Sequence, residues 1–147
     1  MGRSRGKRLW TLLLIANIAF IWGNSMLPGS ESQQLSDSFL RWLGFLLEPL
    51  GEYGSLVLRK AAHFSEFACL GFLLTGFFRR QSLRTAALCG LLSACVDESI
   101  QLFSPGRSSS LVDVWIDFAG VLTGIALLHF GHILWKKTRK NNNSEET

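Results

Sequence analysis

The sequence predicts an all-α fold: an integral membrane bundle of four transmembrane helices, with an amphipathic interfacial helix in its first outer loop. Three observations predict it. Apolar residues make up 48% of the 147 residues and fall in four long blocks. Eleven of the fifteen Lys and Arg lie before the first block, between the second and third, or after the fourth. Nine of the eleven acids lie on the opposite side of those blocks or in the adjoining halves of the helices. Four spans place the amino terminus, the second connection and the tail on one face, and the positive-inside rule makes that face cytoplasmic.

The first span follows a basic amino terminus, residues 1–8, with Arg3, Arg5, Lys7 and Arg8. Leu9–Leu27 is a continuous, mainly apolar run, long enough to cross about 30 Å of hydrocarbon. It is longer than a signal-peptide core and has no small-x-small cleavage site before Pro28, so it reads as an uncleaved helix. Pro28-Gly29-Ser30 ends it, and Ser30 with Gln33 matches a capping box for the next helix. Leu35, Phe39, Leu43, Leu46 and Leu47 recur at helical spacing, with Asp37, Arg41 and Glu48 elsewhere on the wheel. That pattern describes a helix lying at the interface, broken by Pro49, Gly51 and Gly54.

Ala61–Phe78 is the second span, entered through Arg59-Lys60 and left through Arg79, Arg80 and Arg84. Leu83–Phe103 is the third, with Asp97, Glu98 and Gln101 near its end. Pro105-Gly106 makes a turn, and Ser110 with Asp113 resembles a capping box opening the fourth span, Leu111–Trp135. The spans form one domain over residues 9–135. Residues 136–147 follow, first basic and then polar, and are expected to be cytoplasmic and disordered at the end. The cytoplasmic side then carries +9 and the outer side −5 of the formal net charge of +4.

Cys69, Cys89 and Cys95 lie in apolar runs without C-x-x-C spacing. They predict neither a zinc site nor a disulfide, and are expected to be small buried hydrophobes. Gly120 and Gly124 form G-x-x-x-G, a close-packing signal between helices. His129 and His132, near the cytoplasmic end of the last span, are read as structural.

Ionisable groups are costly in hydrocarbon, roughly 2.5–3.5 kcal/mol for a central Asp. Those of the spans therefore imply a polar cavity. At the helical rise, His63 and Glu66 lie about 6 and 10 Å below Arg59. Asp97 lies about 9 Å below Phe103, and Asp117 about 9 Å below Leu111. Asn24 and Ser25 are within a turn of the first span's outer end. Every span thus offers polar groups at one outer level, and none is expected in the inner half. The spacings i,i+3 and i,i+4 put each set on one helix face. The candidate catalytic residues are His63, Glu66, Asp97, Glu98 and Asp117, expected to line one cavity. The candidate binding residues are Asn24, Ser25, Arg59, Lys60, Gln101, Arg107 and Asp113. Arg107 is expected above the cavity, in a bidentate pair with Asp97, Glu98 or Asp113 or over an anionic ligand. Bland readings stand beside these: an intrahelical pair for His63 and Glu66, a helix cap for Asp113, a headgroup contact for Arg107.

At these residues the chain resembles the VanZ-like family. Ser25, Pro28-Gly29-Ser30 and Ser32 are similar to its S-x-x-P-G-S-x-S block. Arg59-Lys60, His63-Phe64 and Glu66-Phe67 are similar to R-K-x-x-H-F-x-E-Y/F. Asp97-Glu98, Gln101, Phe103, Pro105-Gly106-Arg107, Asp113, Asp117 and Gly120 follow the family's D-E-x-x-Q-x-F-x-P-G-R block and its continuation. The chain departs from many relatives at Ile100, where they carry His before the Gln. His63 is then the histidine of the outer cavity. The resemblance implies a cell-envelope setting and a link to low-level resistance to the glycopeptide teicoplanin. It carries no catalytic assignment to particular residues.

Three functions remain open. As an enzyme, the shielded carboxylates would serve as acid and base, His63 would shuttle protons, and Arg59, Lys60 and Arg107 would hold a phosphate. A lipid-linked phosphate or another envelope substrate suits such a cavity. As a binding protein, the same groups would recognise a lipid headgroup, a wall precursor or a glycopeptide. As a structural protein, they would only fix helix packing. Clustered carboxylates can hold a divalent cation, but the sequence assigns no metal site and names no cofactor. Membrane lipid is the expected partner, and the oligomeric state is left open. A soluble domain is excluded by the four runs. No nucleic-acid partner is expected, because the basic clusters flank apolar runs, where orientation explains them.

Overall fold

The computed structural model describes residues 2–47, 53–78 and 82–145. Among these it has five helices and no strand: α1 (Gly2–Met26), α2 (Gly29–Leu47), α3 (Gly54–Phe77), α4 (Leu83–Gln101) and α5 (Leu111–Glu145). The helix breakers Pro49 and Gly51, and the loop residues Arg79 and Arg80, lie outside the described residues.

α3 is the hub, packing on α1, α2, α4 and α5, with α5 its main partner. The α3–α5 seam explains the glycine pattern. A Cβ on Gly120 would strike the Phe64 carbonyl oxygen, and one on Gly124 the Ala68 carbonyl oxygen. The G-x-x-x-G face therefore lets two backbones touch, as small residues do between membrane helices. Ile21, Phe67, Leu70, Leu74, Ala86, Ala94, Val121 and Ile125 form the buried core across α1, α3, α4 and α5. Large apolar side chains such as Leu12, Leu92, Trp115 and Leu127 are more than half exposed on the outer faces.

Several expectations are corrected. α2 begins at Gly29, with the Ser32 N–H donating to the Pro28 carbonyl at 3.1 Å, so Ser30 lies inside the helix and does not cap it. Gly54 opens α3 rather than ending α2. Cys69 and Cys95 are exposed on outward faces, and Cys89 is half-buried. α5 runs to Glu145, well past Trp135, so most of the tail expected to be disordered is helical. No Gly or Pro follows Gly131 to stop it.

Among the described residues, two helices are long and apolar enough to cross a membrane: α1 over Gly6–Met26 and α5 over Leu111–Arg139, with mean hydropathies of 1.5 and 1.9. The sequence predicted four. α3 and α4 fall short because Arg59, Lys60, Glu66, Arg84, Asp97 and Glu98 lower their hydropathy.

Candidate functional site

The ends of α1 and α4 meet over the turn between α4 and α5. The Gly29 N–H donates to the Pro105 carbonyl at 2.9 Å, and a Cβ on Gly29 would strike the Gly106 carbonyl oxygen. Gly106 itself has φ +73°, the left-handed region that Gly enters without cost. Two Pro-Gly turns far apart in the chain thus lock together. Ser104 seals the joint: its Oγ donates to the Ser25 carbonyl at 2.7 Å.

Arg107 extends this lock. Its Nε donates to the Leu27 carbonyl at 3.1 Å and its Nη2 to the Asn24 carbonyl at 2.9 Å. These carbonyls lie at and just past the carboxyl end of α1, where helical acceptors run out of i+4 donors, and the Asn24 carbonyl also takes the Leu27 N–H at 3.2 Å. The expected bidentate pair with Asp97, Glu98 or Asp113 is not what forms. Partial burial, reinforced by the nearby Arg59 charge, pulls the guanidinium below its ordinary pKa, while Asp97, Glu98 and Glu66 act oppositely from a distance.

α5 opens as the sequence suggests, with a twist in the partners. The Ser110 Oγ accepts from the Val112 N–H at 3.2 Å. In a capping box, Asp113 would reach back to the Ser110 N–H. Here Glu98 of α4 accepts that N–H at 2.8 Å. Asp113 instead pairs with Lys60 of α3. A carboxylate beside the amino end of α5 is also favoured by the helix dipole.

The other polar groups are tied between helices. The Asn24 Nδ2 donates to Glu66 Oε1 at 3.0 Å. The Gln101 Nε2 donates to Asp97 Oδ2 at 2.9 Å and, weakly, to Ser25 Oγ at 3.4 Å. The His63 Nδ1 lies 3.9 Å from Asp97 Oδ2 and makes no hydrogen bond. Asp97 and Asp117 are buried, at 0% and 2% exposed.

Two cavities meet here. One, of about 300 Å³, is lined by Arg59, Lys60, His63, Glu98, Gln101, Arg107, Asp113 and Asp117. The other, of about 420 Å³, is a mainly apolar groove between α1, α2 and α3, lined by Phe20, Leu27, Leu35, Leu58 and Ala62 among others. Arg59, His63 and Arg107 border both. The five candidate catalytic residues therefore do not line one cavity. His63, Glu98 and Asp117 line the polar one, and Glu66 lines the groove with Asn24. Asp97 is fully buried and lines neither of the two. Ser25 is buried among its hydrogen bonds to Gln101 and Ser104.

Sequence reasoning missed Ser104, whose burial follows from the Gly29–Gly106 joint and leaves no trace in spacing. It also missed polar atoms deeper in the helices. Asn17 Oδ1 and Ser93 Oγ are buried without a hydrogen bond, while the buried Thr75 donates to the Gly71 carbonyl of its own helix at 2.8 Å. The polar groups are concentrated at one end but not confined to it.

One metal-competent set stands out among the described residues. His63, Asp97 and Asp117, from α3, α4 and α5, each offer a ligand atom within 4.8 Å of the others.

The fold and the site define an all-helical protein with two apolar helices of membrane-spanning length and a polar cluster between its helices. The VanZ/LLP1 family model matches residues 10–134, and the chain belongs to that family. VanZ proteins are membrane proteins, which agrees with those two helices. Comparison with curated proteins and with solved structures gave no match.

Proposed function

We infer that the chain is a four-span protein of the cell membrane, with both termini cytoplasmic, acting on a lipid-linked phosphate of the envelope. Four spans are supported by where the acids of α4 point and by the apolar outer faces of α3 and α4. Glu98 and Asp97 face inward, while Leu88, Leu92 and Val96 on α4 and Val57 and Phe72 on α3 are exposed. At 24 and 19 residues these helices are about 36 and 28 Å long, close to the hydrocarbon thickness of about 30 Å.

The observation that carries the functional reading is the meeting of the two cavities. An apolar groove suits an acyl or prenyl chain. It ends at Arg59, His63 and Arg107, beyond which lies a polar chamber. Arginines suit a phosphate at that junction. Asp117 and His63 stand on the chamber wall as acid–base groups. The positive-inside orientation opens the chamber toward the outer leaflet.

The test uses the full chain in lipid nanodiscs doped with a polyprenyl phosphate or diphosphate. Saturable binding by native mass spectrometry is expected, with loss on Arg59→Ala. Release of phosphate or of the head group is expected from wild type and not from Asp117→Asn, which should still bind. Equal binding of a neutral prenyl lipid would overturn the reading.

A second reading is favoured by one observation. Glu98 and Arg107 already serve backbone groups. If the rest of the site only binds, the protein would hold a headgroup, a wall precursor or a glycopeptide without turnover. The link to teicoplanin resistance belongs equally to both readings. Binding without product release in the same experiment would select the second.

A further inference from the structure

We propose that His63, Asp97 and Asp117 bind one divalent transition cation of the zinc or iron(II) class. Their ligand atoms come from three helices, yet lie within 4.8 Å of one another. Ligands at about 2.0–2.2 Å from a shared ion would need to close by roughly an ångström, a small side-chain adjustment.

Two further observations point to a cation rather than to a chance gathering. Asp97 is fully buried and its Oδ1 accepts no hydrogen bond. The His63 Nδ1 is likewise buried and unpartnered. Buried polar atoms are rarely left so, because the lost hydration is not repaid. The charge is also uncompensated. Among the described residues, the ion pairs are Lys60–Asp113 and the His63–Asp97 contact, so no Lys or Arg pairs with Asp97 or Asp117. Two buried carboxylates without a cation are expensive, and a divalent ion between them offsets both.

The surroundings suit the role. Gln101 donates to Asp97 Oδ2 at 2.9 Å, an outer hydrogen bond of the kind that orients a ligating carboxylate. Imidazole with two carboxylates favours zinc or iron(II) over magnesium or calcium. His63 and Asp117 line the polar chamber, so a bound ion would keep open positions toward it. Three protein ligands with an open position is the arrangement of catalytic rather than structural sites. The ion would then face a bound phosphoryl oxygen across the chamber from Arg59. That last step rests on the proposed function; the binding of the ion does not.

The full chain in nanodiscs is stripped with a chelator and titrated with Co²⁺, an optical probe for zinc sites. One Co²⁺ per chain is expected, with visible absorption bands that Zn²⁺ abolishes. Asp117→Asn and His63→Gln should each weaken Co²⁺ binding by about 100-fold or more. Glu31→Gln, an exposed acid on α2, should bind as wild type. Helical content and size-exclusion profile identify any variant that fails to fold. Pulsed electron paramagnetic resonance of Cu²⁺ on wild type supplies a check that needs no carboxylate variant: one imidazole nitrogen is expected, lost in His63→Gln. No saturable Co²⁺ binding by folded wild type, or an imidazole signal persisting in His63→Gln, would overturn the site. Because no lipid substrate enters this experiment, its failure leaves the functional reading separately testable.

Discussion

Glu98 of α4 accepts the backbone N–H of Ser110, the residue that caps α5, at 2.8 Å. A carboxylate expected to do chemistry is thereby part of the joint that starts the last helix. Gln can accept the same bond through its carbonyl, and Ala cannot. Glu98→Ala should therefore lower stability by about 1–3 kcal/mol, while Glu98→Gln loses much less. Thermal unfolding in detergent reads the difference. Equal melting temperatures for the two variants would remove the joint from the account.

Arg107→Lys should be destabilising as well as inactivating. One ammonium cannot reproduce both guanidinium bonds, Nε to Leu27 and Nη2 to Asn24. A loss of about 1 kcal/mol is expected, with ligand binding reduced. The sequence alone predicts normal folding for this variant, so membrane abundance and melting temperature together decide between the two.

The Pro-Gly joint has its own signature. In Gly29→Ala the new methyl meets the backbone oxygen of Gly106, which cannot move without shifting the turn that carries Arg107. About 1–3 kcal/mol should be lost. Gly23→Ala meets nothing within 4 Å and should be neutral or stabilising, by up to about 1 kcal/mol. The ratio of folded protein in the two variants is the measurement. If both behave alike, the joint is slack.

Topology is checked with reporter fusions. A fusion after Asn141 should report the cytoplasm, and one within residues 30–52 the outside. The motive is the split of eleven basic residues against four. An external carboxyl terminus would refute four spans and the outward chamber together.

Much of the architecture could be read from the chain, because the signals are local. Apolar runs and breakers place both ends of α4, the carboxyl ends of α1 and α3 and the start of α5 within two residues, and Gly120 with Gly124 marks the face of α5 that meets α3. The i,i+4 spacing puts Asp97 and Gln101 on one helix face, and there they hydrogen-bond. Where a helix stops is less local. α5 continues to Glu145 because polar residues do not end a helix unless something breaks it.

Depth along a helix brings residues to one level, and that much the sequence by itself determined for His63, Glu66, Asp97, Glu98 and Asp117. Which partner each then takes is set by how the helices rotate against one another, and only the tertiary structure decided it. Rotation turns Glu66 toward Asn24 and the apolar groove, and Glu98 toward the backbone of Ser110. It leaves His63, Asp97 and Asp117 facing each other. The close approach of Gly29 to Gly106 draws Arg107 onto the α1 carbonyls instead of the carboxylates. Backbone acceptors have no sequence signature, since every residue carries one. That is why the carboxylates and arginines could be found from the chain while half of their bonds could not.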